Sequence, residues 1–378
     1  MSKISHSPTF CSVPWTSLNI DQTGRVMPCM MTVYELGNLR QKTIQEILQD
    51  QPLQELRTTI ANGQWHKACV ECKKREELNE FSARTSRGTT PQILESIDKD
   101  INFFQLQDLS VNWSNLCNIT CVYCNPETST AWQSLKKIPI NYVRNEQDDL
   151  VALAREHAHH IRGVMLGGGE PLVQKTLPEF IDCLDSEQCN VIVTTNLSVD
   201  ITTNAVYQRL KTFKNISWMI SFDNADAKRF EYVRRGASWS QFYSNILQLK
   251  KDNQRVWAHP AYSIYCALDL ERYYDFCVEH GLDLFWCDLT HPWDLDARRM
   301  PWIFREQAIQ EIDRVLQKYP KKYSPETLAR YRVTLLDPKF FNPEYQPRTL
   351  EWHRESEQLH QQTYTFEELW PREAGLIG

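Results

Sequence analysis

The segment Asn115-Leu116-Cys117-Asn118-Ile119-Thr120-Cys121-Val122-Tyr123-Cys124 spaces three cysteines as CxxxCxxC just past an apolar, strand-like run. Three thiolates on one short loop can bind three irons of a cubane [4Fe-4S] cluster and leave the fourth iron open for chemistry. A zinc site normally takes four ligands, usually as two CxxC-type pairs, so this loop suits zinc poorly. Downstream, Gly163-Val164-Met165-Leu166-Gly167-Gly168-Gly169-Glu170-Pro171 reads as an apolar strand ending in a glycine turn that carries a carboxylate.

A second group of cysteines precedes the loop. Cys11 and Cys29 bracket a segment in which Leu18 and Ile20 alternate, Gln22-Thr23-Gly24 turns and Val26 resumes, the pattern of a β-hairpin with glycine at its tip. Such a hairpin brings Cys11 and Cys29 together, and two short helical patterns later Cys69-Val70-Glu71-Cys72 supplies two more thiols on one tight turn. Four closed thiolates suit an iron-sulfur cluster or a structural zinc equally.

On these motifs the chain resembles the radical SAM superfamily, in which CxxxCxxC binds the cluster and a GGE-type strand end binds S-adenosylmethionine. The resemblance makes Cys117, Cys121 and Cys124 cluster ligands, sets Tyr123 against the adenine, and gives Gly168, Gly169 and Glu170 to the methionine amino group. It offers Asn196 and Ser221 for ribose or methionine contacts. Arg235, or its neighbour Arg234, would take the methionine carboxylate through a planar fork. The N-terminal part resembles the SPASM and twitch modules of such enzymes in its cysteine, glycine and cysteine five residues on, here Cys11, Gly24 and Cys29. No cysteine falls between Cys72 and Cys117, so the resemblance implies a single auxiliary [4Fe-4S] cluster of the shorter twitch type, held by Cys11, Cys29, Cys69 and Cys72. In most relatives that module follows the barrel, whereas here it precedes it.

The elements that must position these groups alternate between strand-like and amphipathic helical runs, which argues for parallel βαβ units. Strands are expected near Leu109–Trp113, Ile161–Leu166, Asn190–Thr195, Ile216–Phe222, Val256–Cys266 and Leu282–Leu289. Helices are expected near Ser129–Lys136, Thr176–Asp185, Asn204–Phe213, Trp239–Lys251, Leu270–His280 and Phe304–Tyr319. The fold class is α/β: a partial (β/α)6 TIM-like barrel behind a small N-terminal iron-sulfur domain of hairpin and helices. The expected domains are 1–100, 101–300 for the barrel, and a C-terminal helical extension over 301–378. In such barrels the chemistry sits at the carboxyl ends of the strands. Cys266 and Cys287, placed at the ends of the last two expected strands, are candidate hydrogen-atom donors.

The chain has 378 residues, 42% of them hydrophobic, twelve cysteines and a net charge of −6. That is enough to fill one large core and a small one, and it gives no global field for nucleic acid. No run approaches a membrane span, and the N-terminus lacks the pattern of a signal peptide, so a cytoplasmic setting is expected, where clustered cysteines are metal ligands more often than disulfides. The resemblance implies reductive cleavage of S-adenosylmethionine to a 5'-deoxyadenosyl radical that abstracts hydrogen from a substrate, with an electron donor such as flavodoxin or ferredoxin as partner. A peptide or protein residue is the leading substrate. A small molecule that is dehydrogenated or rearranged is the rival, and a non-catalytic, metal-stabilised peptide-binding module is the alternative of another class.

Overall fold

The computed structural model describes residues 3–77, 82–86, 88–141, 147–289, 291–323, 325–340, 345–361 and 363–371. Two compact units emerge: residues 1–116, 142–193 and 205–216, and residues 117–141, 194–204 and 217–378.

In the first unit β1 (Ser17–Ile20) and β2 (Arg25–Met27) form the expected hairpin, with Asn19 opposite Met27. Asp21 closes its turn by accepting from the Thr23 amide and hydroxyl and from Arg25, and Gly24 takes φ +85° at the tip, which glycine adopts without strain. β3 (Gly37–Asn38) adds antiparallel to β2. On its other edge β1 lies parallel to β4 (Asp108–Asn112), followed by β5 (Gly163–Gly167) and the first residues of β6 (Asn190–Thr195), all parallel. The hairpin is thus continuous with the parallel sheet. One face of these strands is sealed by Leu109, Val111, Val164, Leu166, Val191 and Val193, while Ser110, Met165 and Ile192 on the other face stay partly open. The sealed face fits the alternation of a sheet covered on one side.

The second unit carries β7 (Asn215–Ile220, from Ser217 onward), β8 (Arg255–Ala258) and β10 (Asp283–Leu284) as parallel neighbours, with β9 (Ala261–Tyr262) pairing β11 (Cys287–Asp288). Parallel pairing needs long crossovers. Helices Ala227–Val233 and Trp239–Lys251 join β7 to β8, and helix Leu270–Glu279 joins β9 to β10. Phe222, Phe230, Trp239, Phe242, Tyr273 and Phe276 interlock behind the strands with ring centroids 4.7–5.8 Å apart. The chain closes with helices Trp302–Lys318, Pro325–Leu336, Tyr345–His360 and Phe366–Leu369.

The α/β class and the succession of parallel strands and helices are as expected. The last two strands differ in detail. The expected run Val256–Cys266 breaks into β8 and β9 at His259-Pro260, because proline has no amide to continue the ladder, and Leu282–Leu289 breaks alongside it into β10 and β11. Cys266 therefore ends no strand; it lies in the turn that leads into helix Leu270–Glu279.

Candidate functional site

The loop 117–124 is held by two supports within the second unit. The amides of Thr120 and Val122 donate to the carbonyls of Arg235 and Val233 at 2.8 and 3.0 Å, as in a short strand pairing. Trp132, on helix Thr130–Leu135, donates its indole N–H to the Cys121 carbonyl at 3.0 Å. Cys121 is buried, while Cys117 and Cys124 are partly open. Two nitrogen donors point at their sulfurs: Arg234 Nη1 lies 3.7 Å from Cys121 Sγ, and Asn196 Nδ2 lies 3.9 Å from Cys117 Sγ. Burial pushes the Cys121 thiol up to about 11 against the pull of Arg234. Deprotonation there needs a metal or a further cation, so three thiols with N–H donors on two of them fit a cluster.

Arg234 is the centre of a buried network. Its Nε donates to Asp223 Oδ2 at 2.9 Å, and its guanidinium lies 5.1 Å from the Tyr123 ring centre. The Tyr123 hydroxyl donates to the same Asp223 oxygen at 2.9 Å, and Asp223 Oδ1 accepts from the Ala261 amide. Burial alone would lower the pKa of Arg234, but Asp223 and the surrounding groups hold it well above its ordinary value. Burial likewise raises Tyr123, with Arg234 opposing and Asp223 reinforcing. Both groups stay in their ordinary protonation states. Asp223 follows the end of β7, and Ser221, two residues earlier, donates its amide to Thr195 at 2.8 Å.

Arg235 is not part of this network, and on geometry Arg234 replaces it as the arginine beside the loop. Its side chain turns the opposite way, with Nη1 on Ser356 Oγ at 2.6 Å and His360 Nδ1 at 2.7 Å, against the C-terminal helix. There His360 meets the Trp132 ring edge-on at 4.9 Å. The end of helix Tyr345–His360 thus braces both supports of the cysteine loop. Burial and the Arg235 cation press His360 down to about 4, so it is neutral at pH 7.

In the first unit, the glycine turn after β5 packs on the backbone that leads into the loop. Gly169 donates to Ser114 O at 2.7 Å and Glu170 to Leu116 O at 2.8 Å. Glu170 is 1% exposed, and its carboxylate accepts from the Leu172 amide at 3.0 Å, so it caps the turn Pro171–Val173. A side chain on Gly168, where φ is +118°, would reach 2.6 Å from Ser114 O. Gln174, which carries no motif and was invisible in the sequence, is buried and ties Ser114 Oγ, Leu116 O and Glu170 O together.

The candidate hydrogen donors separate. Cys266 is fully buried with its thiol on Ala261 O and Ser263 O, and burial raises it to about 12, which suits a core residue. Cys287 is exposed on β11, with the charges of Asp288, Asp223 and Arg234 acting on it.

The N-terminal cysteines do converge. Cys11, Cys29, Cys69 and Cys72 line one cavity of about 70 Å3 with Val13, Met30, Leu56, Ile60 and Arg84. A water occupies roughly 10–15 Å3 on this scale, so the space takes a far larger group. Burial, and then Cys11, Cys29 and Cys72, push the Cys69 thiol up to about 12. An apolar cavity walled by four thiols, where burial disfavours the thiolate at Cys11 and Cys69, suits a four-thiolate metal group whose cation would stabilise those anions.

Comparison with known proteins agrees with this geometry. The Radical SAM superfamily model matches residues 111–263, and the model of SPASM, an iron-sulfur cluster-binding domain, matches residues 11–73. Among curated relatives, a GTP 3',8-cyclase of Syntrophomonas wolfei is 27% identical over 158 residues, 41% of this chain and 44% of that protein. A probable GTP 3',8-cyclase of Sulfolobus acidocaldarius is 36% identical over 87 residues, 23% of this chain and 25% of the other. The chain thus spans less than half the length of the curated relatives it matches. Among solved structures, Streptococcus suis SuiB bound to precursor peptide SuiA aligns at TM-score 0.45 and 14% identity, over 80% of this chain and 69% of that one. The anSMEcpe protein with bound AdoMet aligns at 0.42 and 13%, over 57% and 61%. Among the described residues no helix is long and apolar enough to cross a membrane. Residues 111–263 thus match a Radical SAM domain, which implies a [4Fe-4S] cluster and S-adenosylmethionine, and residues 11–73 match a SPASM domain, which implies auxiliary iron-sulfur.

Proposed function

We propose that this enzyme cleaves S-adenosylmethionine reductively and uses the product to abstract hydrogen from a substrate seated before β7, β8 and β10. The bound cluster and S-adenosylmethionine supply the electron and the 5'-deoxyadenosyl radical. Cys117, Cys121 and Cys124 hold that cluster in this reading. The observation that carries it is the placement of Arg234, a permanently charged fork fixed by Asp223 within reach of Cys121, where an anionic carboxylate would be neutralised and oriented. Asn196 and Ser221 lie at the ends of β6 and β7 and would orient the ribose or methionine part. Tyr123 presents its ring beside Arg234 for the adenine, and Gly168, Gly169 and Glu170 shape the turn that carries the loop. In this assignment residues 1–100 form the auxiliary module, 101–300 the catalytic barrel and 301–378 a brace.

Arg234→Gln is expected to weaken S-adenosylmethionine binding at least tenfold in equilibrium dialysis with cluster content unchanged. Arg235→Gln should leave that affinity intact and lower thermal stability instead. The reverse pattern would return the carboxylate role to Arg235.

The substrate we favour is a small molecule carrying a planar ring, on the strength of the aromatic face described below and of relatives named for action on GTP. A peptide residue is the second reading, favoured by the openness of the site at Phe285, which is 53% exposed, and at Cys287. If a thiol returns hydrogen to the product radical, Cys287 is the donor and Cys266 is not. Turnover in deuterated water should then place solvent deuterium on the product, Cys287→Ala should abolish that label, and Cys266→Ala should retain it. Product free of deuterium from the wild type would exclude both thiols.

A further inference from the structure

On the strands of the second unit, Trp218, Ile220, Val256, Ala258 and Leu284 are buried. By the two-residue period the opposite face carries Met219 and then Ser221 on and after β7, Trp257 and then His259 on and after β8, and Phe285 and then Cys287 after β10. The register sets Met219 beside Trp257, and Trp257 beside Asp283, one row below Phe285. Phe285 meets Trp257 edge-on at 6.5 Å and His259 at 5.6 Å and 30°, and His259 Nδ1 is fixed on Phe285 O at 2.8 Å. A large ring left half-exposed among other rings calls for a planar occupant. The indole N–H of Trp257 is buried without a hydrogen-bond partner, a deficit that an acceptor on the occupant would repair. Arg255 lies 4.7 Å over the same indole, with Asp283 on its Nε at 3.3 Å. The face adjoins the Arg234–Asp223 pair, because Asp223 Oδ1 accepts at 2.8 Å from the amide of Ala261, two residues past His259.

We infer that Trp257, Phe285 and His259 form a ring-binding subsite that selects a nucleobase-like heterocycle: Phe285 stacks on the ring and Trp257 Nε1 donates to an acceptor at its edge. A hydrocarbon ring such as a phenylalanine side chain would fill the space but leave the indole N–H unpaired. This deepens the substrate assignment above and rests on that site, yet it is tested by binding alone, so a failure of radical chemistry would leave its outcome legible.

The test is equilibrium dialysis of the reconstituted holoenzyme with saturating S-adenosylmethionine, which occupies the cofactor's own adenine site, using guanosine, uridine and N-acetyl-phenylalaninamide as probes. Guanosine or uridine should bind, more tightly than the amide. Trp257→Phe, which keeps the ring and removes the donor, should weaken the nucleoside about fivefold and leave the amide unchanged. Phe285→Ala should weaken nucleoside binding by tenfold or more. Absence of nucleoside binding to the wild type, or affinities unmoved by both substitutions, would overturn the subsite. A preference for the amide would replace the heterocycle by an aromatic peptide side chain.

Discussion

The Cys117→Ala, Cys121→Ala, Cys124→Ala variant is expected to lose all cleavage of S-adenosylmethionine while keeping the metal of the N-terminal module. The loop owes its shape to backbone contacts, from Thr120 and Val122 to the 233–235 segment and from the Cys121 carbonyl to Trp132, and none of these involves a thiol. Removing the sulfurs should therefore delete the metal site without unfolding its frame. Anaerobic reconstitution followed by iron, sulfide and zinc analysis and electron paramagnetic resonance reads both sites at once. The wild type should bind about two [4Fe-4S] clusters and the variant one. Retained cleavage would sink the radical assignment; a wild type with one cluster and one zinc would make the N-terminal site structural.

The convergence of Cys11, Cys29, Cys69 and Cys72 was legible because a hairpin or tight turn converts sequence distance directly into geometry. The strand order was legible from alternation of period, although helices Gln147–His157 and Pro325–Leu336 went unread despite the periodic Leu150, Leu153 and Ala154 of one and Leu328, Tyr331 and Leu335 of the other, all buried. What sequence could not give is direction. Arg234 and Arg235 are adjacent and chemically identical; only the exit of the chain from helix Ala227–Val233, with Arg234 at φ −99° and ψ 59°, decides which faces the thiols and which faces Ser356. Cys266 reads as a strand end until Pro260 ends the strand early. Gln174 carries no spacing signal, since its partners are backbone carbonyls from a distant segment.

The same loss of direction governs the glycine turn, for which the expectation was that Gly168 and Gly169 leave room for the methionine amino group. In the structure the missing side chains face protein. A Cβ on Gly169 would lie 2.2 Å from Leu116 O, 2.5 Å from Leu116 C and 2.8 Å from Asn115 C, all backbone atoms that no rotamer change can move. Leu116 immediately precedes Cys117, and its carbonyl also accepts from Glu170 N and Gln174 Nε2 at 2.8 and 3.0 Å. Gly169→Ala, the smallest possible change, must therefore displace the segment that aims the first cluster ligand and break those hydrogen bonds as it does so. The expected result is loss of the cluster at Cys117, Cys121 and Cys124 together with all S-adenosylmethionine cleavage, with the N-terminal metal retained and far-ultraviolet circular dichroism close to wild type. Iron content and the paramagnetic signal of the reduced protein check it. A Gly169→Ala protein that keeps its cluster but no longer binds S-adenosylmethionine would restore the glycine turn as the cofactor's own cradle, because the lost space would then belong to the ligand and not to Leu116.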